Sequence, residues 1–474
     1  MGAAGRRRDH RNGGRDRARP PPPRCGGRAR RPHRPGCRGS AAAGPTVPVV
    51  RFVPAGRAGA PGRFRAPPVI PSTGHHPERT HAVKPLRILI GAETYPPDVN
   101  GAARFAERLA TGLAGRGHEI HVVAPSPTGP ASRETRDGVT VHGVRSYRYY
   151  QHDGFQVCMP WEAFPATTAL MDEIDPDVVH TNAHMVVGRG VVKAAHRTGR
   201  PLVATNHLMP ENLIGYSPIP RPLRRAFNKW AWHDLGRVFG KAQVVTAPTP
   251  RAVELLVRHA GLADAFPVSN GIDADRYQTI PHTPGPVPTV LFVGRLDQEK
   301  RVDELIRAFA ALPAGLAARL EIVGDGGRRE EWTALAAELG MGERVRFRGF
   351  VSEQELLEAY AGADVFCMPG IAELQSLVTL EAMSAGLPVV AANAMALPHL
   401  VRPGRNGWLY TPGDVQELGT RLAALLGDAA TRRRMGAASR EIVAAHGVEA
   451  TLDRFEGIYA RVLGREAVGA WRAA

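Results

Sequence analysis

Two carboxylates, Glu373 and Glu381, stand in the stretch IAELQSLVTLEAMSAGLPVV (residues 371–390), with Gln375 and Ser376 between them and a Gly-Leu-Pro break behind. Paired acids invite a general acid/base reading. The segment between them favours another. Read as a helix over 376–385, it starts with Ser376 near the N-cap, and its first backbone N–H groups have no partner inside the helix. Such a start holds an anion without any charged side chain. Glu381 lies inside the helix beside Leu380 and Met383, which read as buried. A carboxylate in that company needs a partner, and a ribose diol offers two hydroxyl donors. Glu373, in the loop ahead of the helix, is placed to bond sugar hydroxyls.

Cations are spaced to match. Arg295 and Lys300 in GRLDQEKR fall between an apolar run and the helix pattern that follows it. Arginine clamps phosphate oxygens through two nitrogens and lysine adds a point charge, so a diphosphate fits there. A surface ion pair of Arg295 with Asp297 or Glu299 is the plain alternative, and Asp325 in IVGDGGRR reads as a turn-shaping residue. His207 is one of 18 histidines, and only its place after PLVATN marks it out. Two Asp-x-Asp pairs, Asp175/Asp177 and Asp273/Asp275, sit ahead of a strand and near a linker, and no His/Cys cluster has ligand spacing. No obligatory metal is expected, because two cations and a helix start already neutralise a diphosphate.

The elements that must carry these residues alternate. LRILIG reads as a buried parallel strand, the loop holding Pro96, Pro97, Asn100 and Gly101 follows, and Phe105, Leu109 and Leu113 mark an amphipathic helix. HEIHVVAP, DVVHTN, PLVATNH and AQVVTAPTP continue a strand–helix alternation. QTIPHTPGPVP has no periodicity and reads as a linker. The alternation then restarts with TVLFVGRL and runs through RLEIVGDG, VRFRGF, ADVFCMPG and LPVVAAN, with Ser352 capping one helix. The expected fold is α/β: two doubly wound Rossmann-like domains facing a cleft. The expected boundaries are an extension over 1–83, a first domain over 84–278, a linker over 279–288, a second domain over 289–450, and a C-terminal helix over 451–474 that packs back on the first domain. In open α/β sheets ligands lie beyond the carboxyl ends of the strands. That rule brings Gly101, His207, Arg295, Lys300 and Glu373 to one cleft.

Net charge is +16 over 474 residues, but its location removes its apparent meaning. Residues 1–84 hold 18 arginines and one lysine against three acids, and the remaining 390 residues carry 42 basic and 42 acidic side chains. The extension is rich in Arg, Pro and Gly and reads as disordered, either an Arg-rich arm or the product of a mis-assigned start with Val83 as the alternative initiation site. No apolar run is long enough for a membrane span, and the N-terminus has no apolar signal core. Cys25 and Cys37 lie in the extension, and Cys158 and Cys367 are far apart, which fits a reducing cytoplasm.

Taken together, PPDVNGAARFAERLATGLAGRGHEIHVVAP, PDVVHTN, SNGID, FVGRLDQEKRVDELIRAF, IVGDG and the Glu-x7-Glu of ELQSLVTLEAMSAGLPVVA resemble the family 4 glycosyltransferases of GT-B fold, from about Lys84 onward. The resemblance implies a retaining transfer of a hexose from a nucleotide-diphosphate donor, UDP- or GDP-linked, with 84–278 as the acceptor-side domain and 289–450 as the nucleotide-sugar-binding domain. It implies that Arg295, Lys300 and the N–H groups of Ser376 and Leu377 hold the diphosphate, and that Gly101 allows close backbone approach to it. Glu381 would bind the ribose, Glu373 and Gln375 would lie at the donor, and His207 would sit beside the reacting sugar. Many members have Phe-Gly where this chain has Gln375-Ser376, and glutamine there resembles the subset acting on diacylglycerol- or phosphatidylinositol-type lipids. In RPLRRAFNKWAWHDLGRVFGK, Leu223, Phe227, Trp230, Leu235 and Val238 form an expected apolar stripe bordered by Arg224, Arg225, Lys229 and Arg237. A helix of that kind lies on an anionic membrane surface.

The expectation is therefore a lipid glycosyltransferase on the cytoplasmic face of a membrane. A soluble acceptor (an inositol phosphate, a sugar or a secondary metabolite) is the nearest alternative. Nucleic-acid binding through the Arg-rich arm is a reading of a different class, opposed by the neutral body of the chain. Oligomeric state is left open.

Overall fold

The computed structural model describes residues 84–98, 100–149, 156–211, 219–283 and 285–465. The Arg-rich extension over 1–83 lies outside the described residues. Eight strands form the first sheet, in the order Phe266–Pro267, Val244–Ala247, Leu202–Thr205, Val178–Thr181, Arg87–Gly91, Glu119–Pro125, Val139–Val144 and Ser132–Arg136. Every neighbouring pair is parallel except the last. Six parallel strands form the second: Val345–Gly349, Arg319–Val323, Thr289–Val293, Val365–Met368, Val389–Ala392 and Gly407–Tyr410. Helices cover the faces of both, as the buried apolar runs require.

The helix Gly101–Gly115 illustrates how local chemistry fixes position. Asn100 caps it, its side-chain oxygen accepting from the Ala103 N–H at 2.9 Å. Ala103, Phe105, Ala106, Leu109, Ala110 and Leu113 are buried along one face, and Gly117 follows at φ +91°. Its N-terminus is thereby held at the carboxyl edge of the first sheet. In the second sheet Gly324, at φ +129°, closes the strand Arg319–Val323. A β-carbon there would lie 1.9 Å from the Gly294 carbonyl oxygen, so only glycine lets the two loops meet.

Two expectations change. The antiparallel pair Ser132–Arg136 and Val139–Val144 has no counterpart in the simple strand–helix alternation. The residues SRETR are exposed throughout and show no apolar period. The usable signal was Asp137-Gly138, whose φ values of 52° and 77° make the two-residue turn. The expected stripe on the helix Arg224–Phe239 splits in two. Trp232, Leu235, Val238 and Phe239 pack inward, whereas Leu223 and Trp230 are 58% and 59% exposed and Phe227 is half-buried. Trp230 and Leu235 are five positions apart, which on a helix puts them on different faces.

The chain passes from the first core to the second between Val268 and Ile272, ahead of the Pro-rich stretch. It returns beside that point. The Ile272 N–H donates to the His446 carbonyl at 2.8 Å, and the Val448 N–H donates to the Ile272 carbonyl at 3.0 Å. The helix Val448–Val462 then buries Leu452, Phe455, Ile458 and Tyr459 in the same core as Ile88 and Phe105. Arg116 secures it through Asp453 at 2.7 Å and Glu456 at 2.6 Å.

Candidate active site

The loop ahead of the helix Leu377–Ser384 is gripped by the first sheet's side of the molecule. Leu374 packs into that side's core, and the Thr249 hydroxyl donates to the Leu374 carbonyl at 2.8 Å. The Gln375 side-chain oxygen accepts from the Asn270 N–H at 2.8 Å, and its amide donates to the Ser269 hydroxyl at 3.0 Å. Gln375 therefore ties the loop to the crossover segment. Ser376 is the N-cap residue but makes no side-chain cap to the backbone, its hydroxyl accepting from Thr379 Oγ1 at 2.9 Å. The first-turn N–H groups are thus left to another acceptor.

Opposite them stands the start of the helix Gly101–Gly115. A β-carbon on Gly101 would come within 3.9 Å of Leu377 Cδ1, so the two helix N-termini face each other across the cleft. Their partial positive ends converge on one volume. Lys300 Nζ is paired with Glu373 Oε1, and both residues are largely buried. The loops carrying them meet where the Ile371 N–H donates to the Glu299 carbonyl at 3.0 Å. Arg295 pairs with Asp297 at 3.1 Å and with Glu299 at 3.5 Å, so the ion pairs weighed from the sequence are both formed. Asp325 does shape its turn, accepting from the Gly326 N–H at 2.8 Å.

Glu381 is buried among polar partners, the Tyr277 hydroxyl among them. Tyr360 Oη donates to its Oε2 at 2.9 Å, and Arg108 lies 3.7 Å from its Oε1. Arg108 and Tyr360 were not singled out from the sequence. Arg108 stands seven residues after Gly101, two helical turns along the same face, which was a usable signal. It also donates to the Gly271 carbonyl at 3.0 Å, linking the first helix to the crossover.

His207 follows the strand Leu202–Thr205 and packs its ring against Phe105 at 4.4 Å between centroids. Burial pushes its pKa down to about 3, so the ring is neutral near pH 7, and Nε2 has no hydrogen-bond partner. Beneath it His180, also pushed down to about 3 by burial, is bonded to Thr205 Oγ1 at 2.7 Å and to Tyr459 Oη at 2.7 Å. Glu93 follows the first strand and accepts from the Gly188 N–H at 3.1 Å. Burial still raises its pKa to about 7 against that bond. Among the described residues, no group of three or more His, Cys, Asp or Glu is arranged to hold a metal ion.

Comparison with known proteins identifies the family. Residues 99–276 match the family model Glycosyltransferase Family 4, and residues 274–442 match Glycosyl transferases group 1. A GDP-mannose-dependent alpha-mannosyltransferase of Mycolicibacterium smegmatis is 33% identical over 397 residues, covering 81% of this chain and 100% of that protein. The sulfoquinovosyl transferase SQD2 of Arabidopsis thaliana is 30% identical, covering 76% of this chain and 70% of that protein. Among solved structures, sucrose-phosphate synthase of Thermosynechococcus elongatus superposes with a TM-score of 0.67 at 21% identity, over 80% of this chain and 100% of that one. The matched segments span both sheets and the crossover between them, and the chain belongs to the family 4 glycosyltransferases, enzymes of GT-B fold that use nucleotide sugars.

Proposed function

We propose that this enzyme transfers a hexose, with retention, from a nucleotide-diphosphate sugar to a hydroxyl of a membrane lipid of the diacylglycerol or phosphatidylinositol type. The names of its relatives favour GDP-mannose as the first donor to try, with UDP-hexoses second. In this reading the bond from the sugar's anomeric carbon to the diphosphate oxygen breaks, and the acceptor oxygen bonds that carbon on the same face. The acceptor's proton passes to the leaving diphosphate. Arg295, Lys300 and the N–H groups at Ser376 and Leu377 take up the developing charge, an electrostatic contribution of about 3–4 kcal/mol per well-placed donor. Glu381 receives the ribose, Glu373 the donor sugar, and Gly101 lets the backbone approach the diphosphate. Gln375 acts on the donor through the loop it anchors. His207, neutral at working pH, bonds the reacting sugar without moving a proton.

The observation that carries the lipid reading is the start of the helix Arg224–Phe239. Leu223 and Trp230 are exposed there, the tilted rings of Phe227 and Trp230 lie 5.7 Å apart between centroids, and Arg221, Arg225 and Lys229 are exposed around them. Apolar side chains ringed by cations suit an anionic bilayer surface. Among the described residues no helix is long and apolar enough to cross a membrane, so attachment is peripheral in this reading. Co-sedimentation with vesicles containing anionic lipid tests it. The full chain is expected to pellet with the vesicles, and Leu223→Ser combined with Trp230→Ser to lose at least tenfold in affinity. A wild-type chain that stays in the supernatant defeats the lipid reading and leaves a soluble acceptor.

A further inference from the structure

Three adjacent strands of the first sheet, Arg87–Gly91, Val178–Thr181 and Leu202–Thr205, end side by side. Asn182 follows the middle one, its N–H donating to the Gly91 carbonyl at 2.8 Å. Its side chain is 5% exposed, yet neither its amide nitrogen nor its carbonyl oxygen has a hydrogen-bond partner. A carboxamide is not left bare in a protein interior without cause, since each unmet group costs about 1–3 kcal/mol. The neighbouring loops repeat the pattern. His184 is 5% exposed with Nδ1 unpartnered, and His207 has Nε2 unpartnered. Burial lowers the His184 pKa to about 4, so it too is uncharged. The backbone is drawn tight here: a β-carbon on Gly188 would lie 2.0 Å from the Ala183 carbonyl oxygen.

Charge is missing in a telling way. The segments after the three strands, residues 92–100 (AETYPPDVN), 182–185 (NAHM) and 206–211 (NHLMPE), contain no lysine or arginine, whereas they contain Glu93, Asp98 and Glu211. The nearby Arg189 is committed to Asp234 in a two-point pair, and Arg108 to Gly271 and Glu381. A phosphate entering over these strand ends would find no guanidinium or ammonium side chain from these loops to offset its charge.

We infer that the acceptor enters over these three strand ends as an uncharged hydroxyl-bearing group, received by the Asn182 carboxamide, and not as a phosphomonoester. The inference rests on the transferase reading above. The Asn182 amide offers one donor and one acceptor on neighbouring atoms, which matches adjacent hydroxyls of a polyol, whether free or at the head of a neutral lipid.

Transfer assays with the full chain decide it, using GDP-mannose and UDP-glucose as donors and three acceptor probes: diacylglycerol vesicles, free myo-inositol and myo-inositol 1-phosphate. An uncharged probe is expected to be glycosylated at least tenfold more efficiently than the phosphomonoester. Asn182→Leu, similar in size but unable to bond, is expected to lower kcat/KM for that acceptor about 10- to 100-fold. Donor hydrolysis and the calorimetric Kd for GDP or UDP should not move, which separates acceptor recognition from misfolding. Preference for the phosphomonoester, failure of both uncharged probes, or an Asn182→Leu enzyme with unchanged acceptor kinetics overturns the inference while leaving the transferase intact. A wild-type chain that binds neither nucleotide overturns the transferase reading, and this one with it.

Discussion

The two walls of the cleft are built on opposite electrostatic plans. On the second sheet's side charged groups are paired: Lys300 with Glu373, Arg295 with Asp297 and Glu299, and Glu381 with Tyr360 and, across the cleft, Arg108. On the first sheet's side the strand ends carry neutral polar groups, with Asn182, His184 and His207 each holding an unpartnered atom. The paired wall must exchange partners to accept a charged ligand, whereas the neutral wall needs no exchange. A diphosphate donor repays that exchange with strong charge-assisted bonds. A hydroxyl acceptor could not, which is why the proposed acceptor position lies against the uncharged groups.

This contrast can be broken from the charged side first. Arg295→Ala is expected to depress kcat by about 10²–10³ with a small change in KM for the acceptor, read in steady-state assays with a verified donor. Full activity in that variant would remove the phosphate from this wall. A smaller effect is expected from Glu381→Ala, which should weaken nucleotide binding by about tenfold in calorimetry, the scale of a lost hydrogen bond to a charged group. Unchanged affinity would leave the carboxylate with a structural role, bonded to Tyr360, Arg108 and Tyr277. The smallest effect lies on the neutral wall. Glu93 has its pKa raised from 4.5 to about 7 in the folded protein, so the folded state binds its proton more tightly than the unfolded chain does. Stability contributed by that proton is present below about pH 4.5 and is lost as pH rises through 7. Glu93→Gln should flatten this dependence by a few degrees of Tm between those limits in thermal melts. Parallel curves for the two proteins would show that the carboxyl is solvated.

Much of this was legible before any coordinates. Strand-end logic put Lys300 and Glu373 near one another because a parallel sheet delivers its loops to one edge whatever their sequence distance. The Ser376 helix start was readable from its break and its apolar run. What sequence did not reveal was who holds whom. Gln375 read as a hint about substrate, and its side chain proves to be bonded to Ser269 and Asn270, 106 and 105 positions away. Arg108 sat unnoticed within an amphipathic pattern that explains only the buried face of its helix. The orphaned amide of Asn182 is invisible in principle from composition, since the lack of a partner is a property of packing. Trp230 was misgrouped for a simpler reason: residues five apart do not share a helical face.

The return of the C-terminal helix has a consequence for how such enzymes can be recombined. Residues 448–462 are last in the chain, yet Leu452, Phe455 and Tyr459 complete the hydrophobic interior of the first half, and Tyr459 supplies a hydrogen bond to His180. The first half is therefore a discontinuous folding module. A chimera that joins this first half to a foreign donor half at the Pro-rich linker would import a mismatched tail into the receiving core. Exchanging this half between relatives requires two splices, one near residue 270 and one near residue 447, where the two crossings lie side by side.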